Sequence, residues 1–415
     1  MTNVTRRAFL ASGAAAAALC LGGCASTSGT SSSSAARSSA SQAGASANGK
    51  HIIGVIVYNV SDSEVLMFRE YLVNYIAATA FSDVQFIYSG GISDEEQLLA
   101  FIDDVAALGA EGIMSFYNID LQAEVARCAE HGMYHMVASG TVSDEDFAKV
   151  AENDHFLGCI GPGIEMEYNA GAAMVRNYIA KKTGDRYFIM SGGAALGNEM
   201  HYERTLGMLD TLETSYGVDL GQTKELAKVD KATTVEVGDV FITISPGYPA
   251  REGMKEPIVE AFKASTYDVV LSALPVAPVS AALYESSAKI AQVDCYSQEN
   301  QLLFAVDKLS YLAGKYGSLV GPSFAAMYNA IGGYAADFRD DGKAFRIVQN
   351  FWASDSKADF DEKYEFASNI TTPAYNYEDL QSICKAFTPG ATFADLKKLA
   401  EASSYEDAKK RRSIT

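Results

Sequence analysis

Short runs of consecutive apolar residues recur along the chain from residue 52, and each is followed by a stretch with an apolar stripe at helical spacing. Runs that are apolar on both faces predict strands buried in a parallel sheet. In the first half of the chain these runs are IIGVIVY (52–58), VQFIY (84–88), GIMSFY (112–117), YHMVAS (134–139) and FLGCIG (156–161). The stretches between them predict helices, one of them from about Leu121 to Glu130.

The alternation restarts with a predicted helix over about 165–182. The strands that follow are YFIMSGG (187–193), YDVVLSAL (267–274) and VDCYS (293–297), with a helix near 276–291 before the last of them. TTVEVGDVFITI (233–244) alternates around Gly238-Asp239 and predicts a hairpin, interpreted as an insertion. SLVG (318–321), a helix from about Pro322 to Phe338 and RIVQNFW (346–352) come next. Two βαβ blocks in tandem predict an α/β fold with two doubly wound parallel-sheet lobes.

The N-terminus reads TRRAFLASGAAAAALCLGGCAS and has the basic start, short apolar middle and small-residue end of an export signal. Arg6-Arg7 resembles a twin-arginine signal, and LGGC resembles the bacterial lipobox, so residues 1–23 are predicted to be removed and Cys24 to be lipidated. The alternative is an uncleaved signal anchor with an incidental cysteine. Residues 24–50 are almost wholly Ser, Ala, Gly and Thr, which predicts a disordered linker. We therefore expect a protein anchored to the outside of the cell membrane by its lipid.

Charge and motifs exclude several classes of function. The formal net charge of -19 disfavours nucleic acid as a partner. Beyond the signal and Cys24, the four remaining cysteines have no C-x-x-C spacing, which disfavours a zinc site and leaves buried thiols or one disulfide. SGGAALGN (191–198) lacks the signature of a phosphate-binding loop, and neither H-E-x-x-H nor G-x-S-x-G occurs. We expect no enzyme, no metal and no cofactor.

At this point the chain resembles the type I periplasmic binding proteins, the ribose-binding-like group of ABC transporter solute receptors. The resemblance covers roughly residues 51–352 and depends on IGVIVYNVSDSE, AEGIMSFYN, NAGAAMVRNYIAKKTGDRYFIMSGG and ERTLGM (203–208). It implies a hinge with three crossings between the lobes, near Gly161–Gly163, Gly321–Pro322 and Ala353. The first lobe would hold 51–162 and 322–352, and the second 163–321 and 353–415 with the tail.

The resemblance also implies a ligand held between the lobes, at the carboxyl ends of the strands. The predicted ligand-binding residues are Tyr58, Asn59, Ser61, Asp62, Tyr117, Asn118, Ser139, Arg204, Gln298, Glu299 and Ser323. Four of them have a structural alternative: Ser61 or Asp62 as a helix cap, Tyr58 as a core residue, and Arg204 in a surface ion pair.

The chain departs from the sugar-binding members of this family at three strand ends, where Ser139, Leu274-Pro275 and Ser297-Gln298-Glu299 stand in place of their Asp and Asn residues. A sugar, a nucleoside or another small metabolite remains open as the ligand. The function implied is a solute-binding lipoprotein that delivers its ligand to an ABC permease. The alternative is a ligand-sensing subunit that docks on a membrane receptor or kinase without transport.

Overall fold

The computed structural model describes residues 49–181, 184–368 and 370–412. The predicted export signal, Cys24 and all but the end of the predicted linker lie outside the described residues. The described residues all belong to one compact unit, and its strands build two separate sheets.

The first sheet is parallel throughout, as the apolar runs predict, and its strand order is β12-β5-β4-β3-β1-β2. Elements are numbered along the chain. The strands are β1 (His51–Val57), β2 (Val84–Gly91), β3 (Ala110–Ser115), β4 (Tyr134–Ala138), β5 (Phe156–Gly161) and β12 (Phe345–Val348). The helices beside them are α1 (Ser63–Arg69), α2 (Glu95–Ala107), α3 (Leu121–Glu130), α4 (Asp144–Val150) and α11 (Gly321–Asn329). α1 continues as wider π-helical turns over Glu70–Ile76.

The second sheet repeats this arrangement, with the order β13-β11-β10-β9-β6-β8-β7. Its strands are β6 (Arg186–Gly192), β7 (Thr233–Val237), β8 (Val240–Pro246), β9 (Val269–Ser272), β10 (Lys289–Cys295), β11 (Leu309–Lys315) and β13 (Trp352–Ser354). Its helices are α5 (Ile164–Ala180), α6 (Glu199–Tyr216), α7 (Thr223–Leu226), α8 (Lys255–Lys263), α9 (Ser280–Tyr284) and α10 (Gln298–Ala305). Only the edge strands β7 and β13 run antiparallel to their neighbours in this sheet. The predicted fold of two doubly wound lobes is confirmed.

The chain passes between the sheets three times, as predicted. It leaves the first sheet after β5, returns between β11 and α11, and leaves again between β12 and β13. The third crossing splits the predicted run 346–352 into two strands of different sheets. The bounds of the two lobes remain a division drawn from the sequence.

Three predicted elements differ from the structure. The strand β11 was not predicted, because Leu309–Lys315 carries a serine, a tyrosine and a glycine that interrupt its apolar run. The helix expected near 276–291 ends at Tyr284, and Lys289 already begins β10. The predicted hairpin is present as β7 and β8, but β8 pairs in parallel with β6, so it is a strand of the sheet and not an insertion.

Beyond β13 the chain forms α12 (Lys357–Ser368), α13 (Tyr377–Ser382), α14 (Phe393–Glu401) and α15 (Tyr405–Arg411). We call residues 355–412 the C-terminal segment. α12 packs on α10 of the second lobe, where the rings of Phe360 and Phe304 lie 5.1 Å apart. Further on, Asn329 of α11 donates from Nδ2 to the carbonyl oxygen of Ile383 at 2.8 Å. The segment, predicted to belong to the second lobe, therefore contacts both lobes.

The four cysteines of the described residues, Cys128, Cys159, Cys295 and Cys384, are buried and unpaired there. Burial raises the pKa of each thiol, so all four stay protonated at neutral pH. Of the two states that the sequence left open, the described residues have buried thiols. Within the described ranges, no helix has the length and apolar character needed to span a bilayer.

Candidate functional site

The carboxyl ends of strands from both sheets meet at one interface, which we call the cleft. Lys315, the last residue of β11, donates from Nζ to the carbonyl oxygen of Ser139, directly after β4, at 2.9 Å. The same ammonium lies 3.1 Å from Oε1 of Glu64 on α1. Both partners belong to the first lobe, so Lys315 joins the two lobes where parallel strands end. Ligands of α/β proteins bind at such strand ends.

Two predicted tyrosines of the first lobe lie together at the cleft. The ring centroids of Tyr58 and Tyr117 are 5.7 Å apart. Tyr58 is 41% exposed, so the core alternative for it is wrong. Its hydroxyl donates to the carboxylate of Asp62. The packing around that hydroxyl and then the charge of Asp62 raise the pKa of Tyr58, which keeps it a hydrogen-bond donor.

The loop after β1 satisfies most of its own polar groups. Asp62 caps α1, because its Oδ1 accepts from the N–H groups of Glu64 at 2.9 Å and Val65 at 3.3 Å. Asn59 accepts both the N–H and the hydroxyl of Ser61, at 3.0 and 2.8 Å. The capping alternative for Asp62 is confirmed. A ligand contact by these residues stays a prediction.

The second lobe places Tyr248 and Arg251, from the loop after β8, close to Tyr117. Burial raises the pKa of Tyr117, and the charge of Arg251 opposes that rise. Burial and then the neighbouring Tyr117 raise the pKa of Tyr248 to about 12. Sequence reasoning missed both residues. The sequence feature that could have identified them is SPGYPAR, a turn-rich stretch at the end of a strand.

Two carboxyl groups at the cleft carry raised pKa values. Burial, together with the nearby charges of Asp62 and Glu64, raises the pKa of Asp294 to about 7, although the hydrogen bond from Asn300 opposes the rise. Asp294 accepts from Nδ2 of Asn300 at 2.7 Å. Burial also raises the pKa of Glu64, although the charge of Lys315 opposes this. Sequence reasoning missed Asp294 because only residues after the end of a strand were considered as ligand contacts. Asp294 lies inside β10, one residue before its last residue.

His201 supplies a neutral group beside these charges. Burial, and then the charges of Arg204 and Lys315, lower the pKa of His201 to about 3. Its Nδ1 accepts the N–H of Gly193 at 3.0 Å. The ring of Tyr248 lies 5.4 Å away, centroid to centroid. The imidazole is therefore uncharged at neutral pH and continues the aromatic surface of the second lobe.

Arg204 is buried and has two protein partners. Its Nε donates to Glu167 at 2.6 Å, and its Nη1 donates to the carbonyl oxygen of Ala273 at 2.7 Å. The alternative interpretation of Arg204 is thus correct that it forms an ion pair, but wrong that the pair lies at the surface, because it is buried. The other oxygen of Glu167 lies 3.0 Å from the hydroxyl of Thr141, in the first lobe. A ligand contact by Arg204 stays a prediction.

Two other predicted residues are held inside the first lobe. Asn118 donates from Nδ2 to Glu124 at 2.8 Å, and the same carboxylate oxygen lies 3.1 Å from Nε2 of the buried His135. Ser139 has a left-handed backbone, with a φ of 61°. Its buried hydroxyl has no hydrogen-bond partner among the described residues. Such strained positions cluster at ligand clamps, which favours Ser139 as a binding residue.

The last three predicted residues lie on the helices α10 and α11. Gln298 and Glu299 form the first turn of α10, and burial raises the pKa of Glu299. Ser323 is fully buried in α11 beside the second crossing, and within the described ranges its hydroxyl has no partner. In the same ranges, no cluster of His, Cys, Asp and Glu has the arrangement of a metal site.

No family model matches the sequence, and no curated protein matches it. Solved structures do match. A periplasmic solute-binding protein of an ABC transporter from Actinobacillus succinogenes, with bound D-allose, has a TM-score of 0.56 at 12% identity over 75% of this chain and 100% of that one. A substrate-binding protein of a sugar ABC transport system from Bordetella parapertussis has 0.53 at 15% identity over 77% and 94%.

The transcription regulator CcpA of Lactococcus lactis is also similar, with a TM-score of 0.52 at 9% identity over 74% of this chain and 97% of that one. At such identities the similarity shows the fold. The chain has the fold of the type I periplasmic binding proteins, as its sequence predicts.

Proposed function

We propose that this chain, which has the fold of the type I periplasmic binding proteins, is a lipid-anchored extracytoplasmic receptor that captures a small molecule between its lobes and delivers it to an ABC importer. The observation that carries the proposal is the meeting of polar groups at the strand ends of both sheets, with Lys315 of β11 bonded to Ser139 and Glu64. A molecule held by both lobes stabilises their closed arrangement. No step in this role requires catalysis.

The chemistry of the cleft supports a polyhydroxylated ring as the ligand. Tyr58, Tyr117 and Tyr248 offer aromatic faces from the two lobes, and a sugar ring packs its C–H face on such rings. Asp294 and Asp62 offer carboxyl oxygens that accept hydrogen bonds from hydroxyl groups. Asp294 supplies a carboxyl acceptor near a strand end, where the sequence comparison with sugar-binding members predicted none. A sugar or a cyclitol is therefore preferred to a nucleoside.

The matched structures agree with this class of ligand for those proteins, because they include complexes with D-allose and myo-inositol. Several are components of ABC transporters. The LGGC motif supports anchoring through a lipid on Cys24. Cys24→Ala should abolish incorporation of labelled palmitate and release the protein from the membrane fraction.

The binding test uses the chain from Ala43 onward, because the described residues all belong to one compact unit. A thermal-shift panel of hexoses, pentoses, myo-inositol and nucleosides is followed by calorimetry on each compound that raises the melting temperature. A ligand at about 100 times its Kd stabilises the fold by about 2.7 kcal/mol. We expect one class of polyol to do so.

Matched variants locate the site. Asp294→Asn and Tyr117→Ala should weaken binding at least tenfold. The controls are Asp307→Asn, whose side chain is 90% exposed, and Tyr334→Ala at the surface of the first lobe. Equal affinity in all four variants would place the ligand elsewhere. Loss of cellular uptake on deletion of the protein separates an importer subunit from a sensor, which would leave uptake unchanged.

A further inference from the structure

A second pocket, of about 270 Å³, lies between α1, the turn before α10 and the C-terminal segment. None of the charged or aromatic residues assigned to the cleft lines it. Ligand pockets for drug-sized molecules measure about 300–1,000 Å³. This pocket lies just below that range, so it suits a smaller molecule of about ten heavy atoms. The residues that the argument uses are Leu66, Met67, Tyr71, Gln298, Tyr364 and Ile370.

The lining combines an apolar wall with two available hydrogen-bonding groups. Leu66 is 48% exposed, and Met67 and Ile370 lie on the same pocket. The side-chain amide of Gln298 and the hydroxyl of Tyr364 have no hydrogen bond within the described residues. An apolar surface with a few polar groups is the usual composition of a site for small molecules. Glu70, the charged residue on this lining, accepts from Nδ2 of Asn74 at 2.6 Å.

The walls of the pocket are held in place by hydrogen bonds, two of which use the lining residues Tyr71 and Ser318. The hydroxyl of Tyr71 donates to the carbonyl oxygen of Tyr375 at 2.8 Å. The N–H of Tyr375 donates to the hydroxyl of Ser318, at the second crossing, at 3.1 Å. Gln301 of α10 donates from Nε2 to Asp361 of α12 at 3.1 Å. The pocket is therefore preformed, which lowers the entropic cost of binding.

The pocket and the cleft share two structural elements. α1 begins with the cap Asp62 and with Glu64 on the cleft, and one turn later it presents Leu66 and Met67 to the pocket. Likewise, Asp294 of the cleft bonds Asn300 of α10, whose first residue Gln298 lines the pocket. An occupant of the pocket thus touches both lobes and the C-terminal segment.

We propose that this pocket is a second binding site, for a small uncharged molecule with an aromatic or alkyl body and one amide or alcohol end. The body packs on Leu66, Met67 and Ile370, and the polar end bonds Gln298 and Tyr364. Because the occupant spans both lobes, it stabilises the lobe arrangement described here, and it is coupled to the cleft in the sense that each ligand changes the affinity of the other equally.

Phenylacetamide, benzyl alcohol and isovaleramide are the probes, measured by ligand-observed NMR and calorimetry on the chain from Ala43 onward. We expect at least one probe to bind with a Kd on the order of 1 mM, because the binding free energy available to a ligand is limited by its number of heavy atoms, here about ten. Leu66→Arg places a charge on the apolar wall and should weaken that binding at least tenfold. Leu302→Arg, on the exposed face of α10, should leave it unchanged.

Gln298→Ala should weaken the amide probes several-fold, and amide hydrogen exchange in α1 and α12 should slow when the probe is bound. Failure of all three probes to bind overturns the proposal. So does equal binding by the Leu66→Arg and Leu302→Arg variants, or a bound probe seen in the cleft by crystallography. Probe binding is measured with no cleft ligand present, so it succeeds or fails independently of the test of the proposed function.

Discussion

Lys315 offers the sharpest test of how the two lobes are held together. Its side chain is only 6% exposed, and its ammonium bonds Glu64 and the carbonyl oxygen of Ser139, both across the cleft. A lobe arrangement with a wider cleft cannot keep these two bonds. We therefore expect Lys315→Met, which keeps most of the apolar stem, to destabilise the closed arrangement selectively.

The magnitude follows from the two lost bonds. Hydrogen bonds to charged groups contribute about 1.5–3 kcal/mol each when buried. Glu64 has a side chain that is 25% exposed and regains water in the variant, which lowers the loss. A net cost of about 2 kcal/mol corresponds to about a 30-fold shift of the closed–open equilibrium. If ligand binds only the closed form, its Kd rises by up to the same factor.

Small-angle X-ray scattering reports the opening as a larger radius of gyration in the variant, and saturating ligand should reverse it. Lys289→Met is the matched control, because its partner Asp307 has a side chain that is 90% exposed and such pairs contribute little. Identical scattering and identical ligand affinity for Lys315→Met and the wild type would refute the reasoning.

Three further predictions concern stability. The raised pKa of Asp294 means that the folded chain holds this proton more tightly than the unfolded chain between about pH 3.8 and 7, so the free energy of unfolding falls as pH rises through that window. Asp294→Asn should flatten the pH dependence of the melting temperature there, whereas an unchanged slope would contradict the burial of this carboxyl. Gly207→Ala should cost about 1–3 kcal/mol in urea unfolding, since a Cβ would lie 2.1 Å from the carbonyl oxygen of Tyr168; a stabilised variant would show that α5 and α6 are less closely packed. Glu124→Ala should cost about 3 kcal/mol by the same measurement, because it leaves His135 and Asn118 without their buried acceptor, and Glu124→Gln should cost less.

The sequence predicts the fold well because parallel strands buried on both faces leave an unmistakable apolar run. β5 coincides with FLGCIG, and α3 begins and ends at the predicted residues. The strand β11 was missed for the opposite reason. Its LSYLAGK carries polar residues that find partners only in the folded chain, as when Ser310 donates to the carbonyl oxygen of Ile290 at 2.9 Å.

The site is less accessible to sequence reasoning, because its groups come from segments far apart in the chain. Lys315 lies 251 residues from Glu64, and no local pattern links them. Conversely, Arg204 and Asn118 stand at positions where polar residues suggest a ligand contact. In the structure Arg204 bonds Glu167 and Asn118 bonds Glu124. Sequence spacing indicates which strand end a polar side chain follows. It does not indicate whether another residue of the protein already takes up the hydrogen bonds of that side chain.

The C-terminal segment constrains how the lobes can move. The carbonyl oxygen of Ser403 accepts from the hydroxyl of Tyr316 at 3.0 Å and from Nε1 of Trp352 at 2.9 Å. Tyr316 follows β11 at the second crossing and Trp352 follows the third, and their rings stack at 4.0 Å. Because one buried residue bonds both crossings, these two cannot separate without breaking the cluster. Opening of the cleft must therefore be a rotation that leaves these two crossings together and breaks the contacts of Lys315 and Thr141.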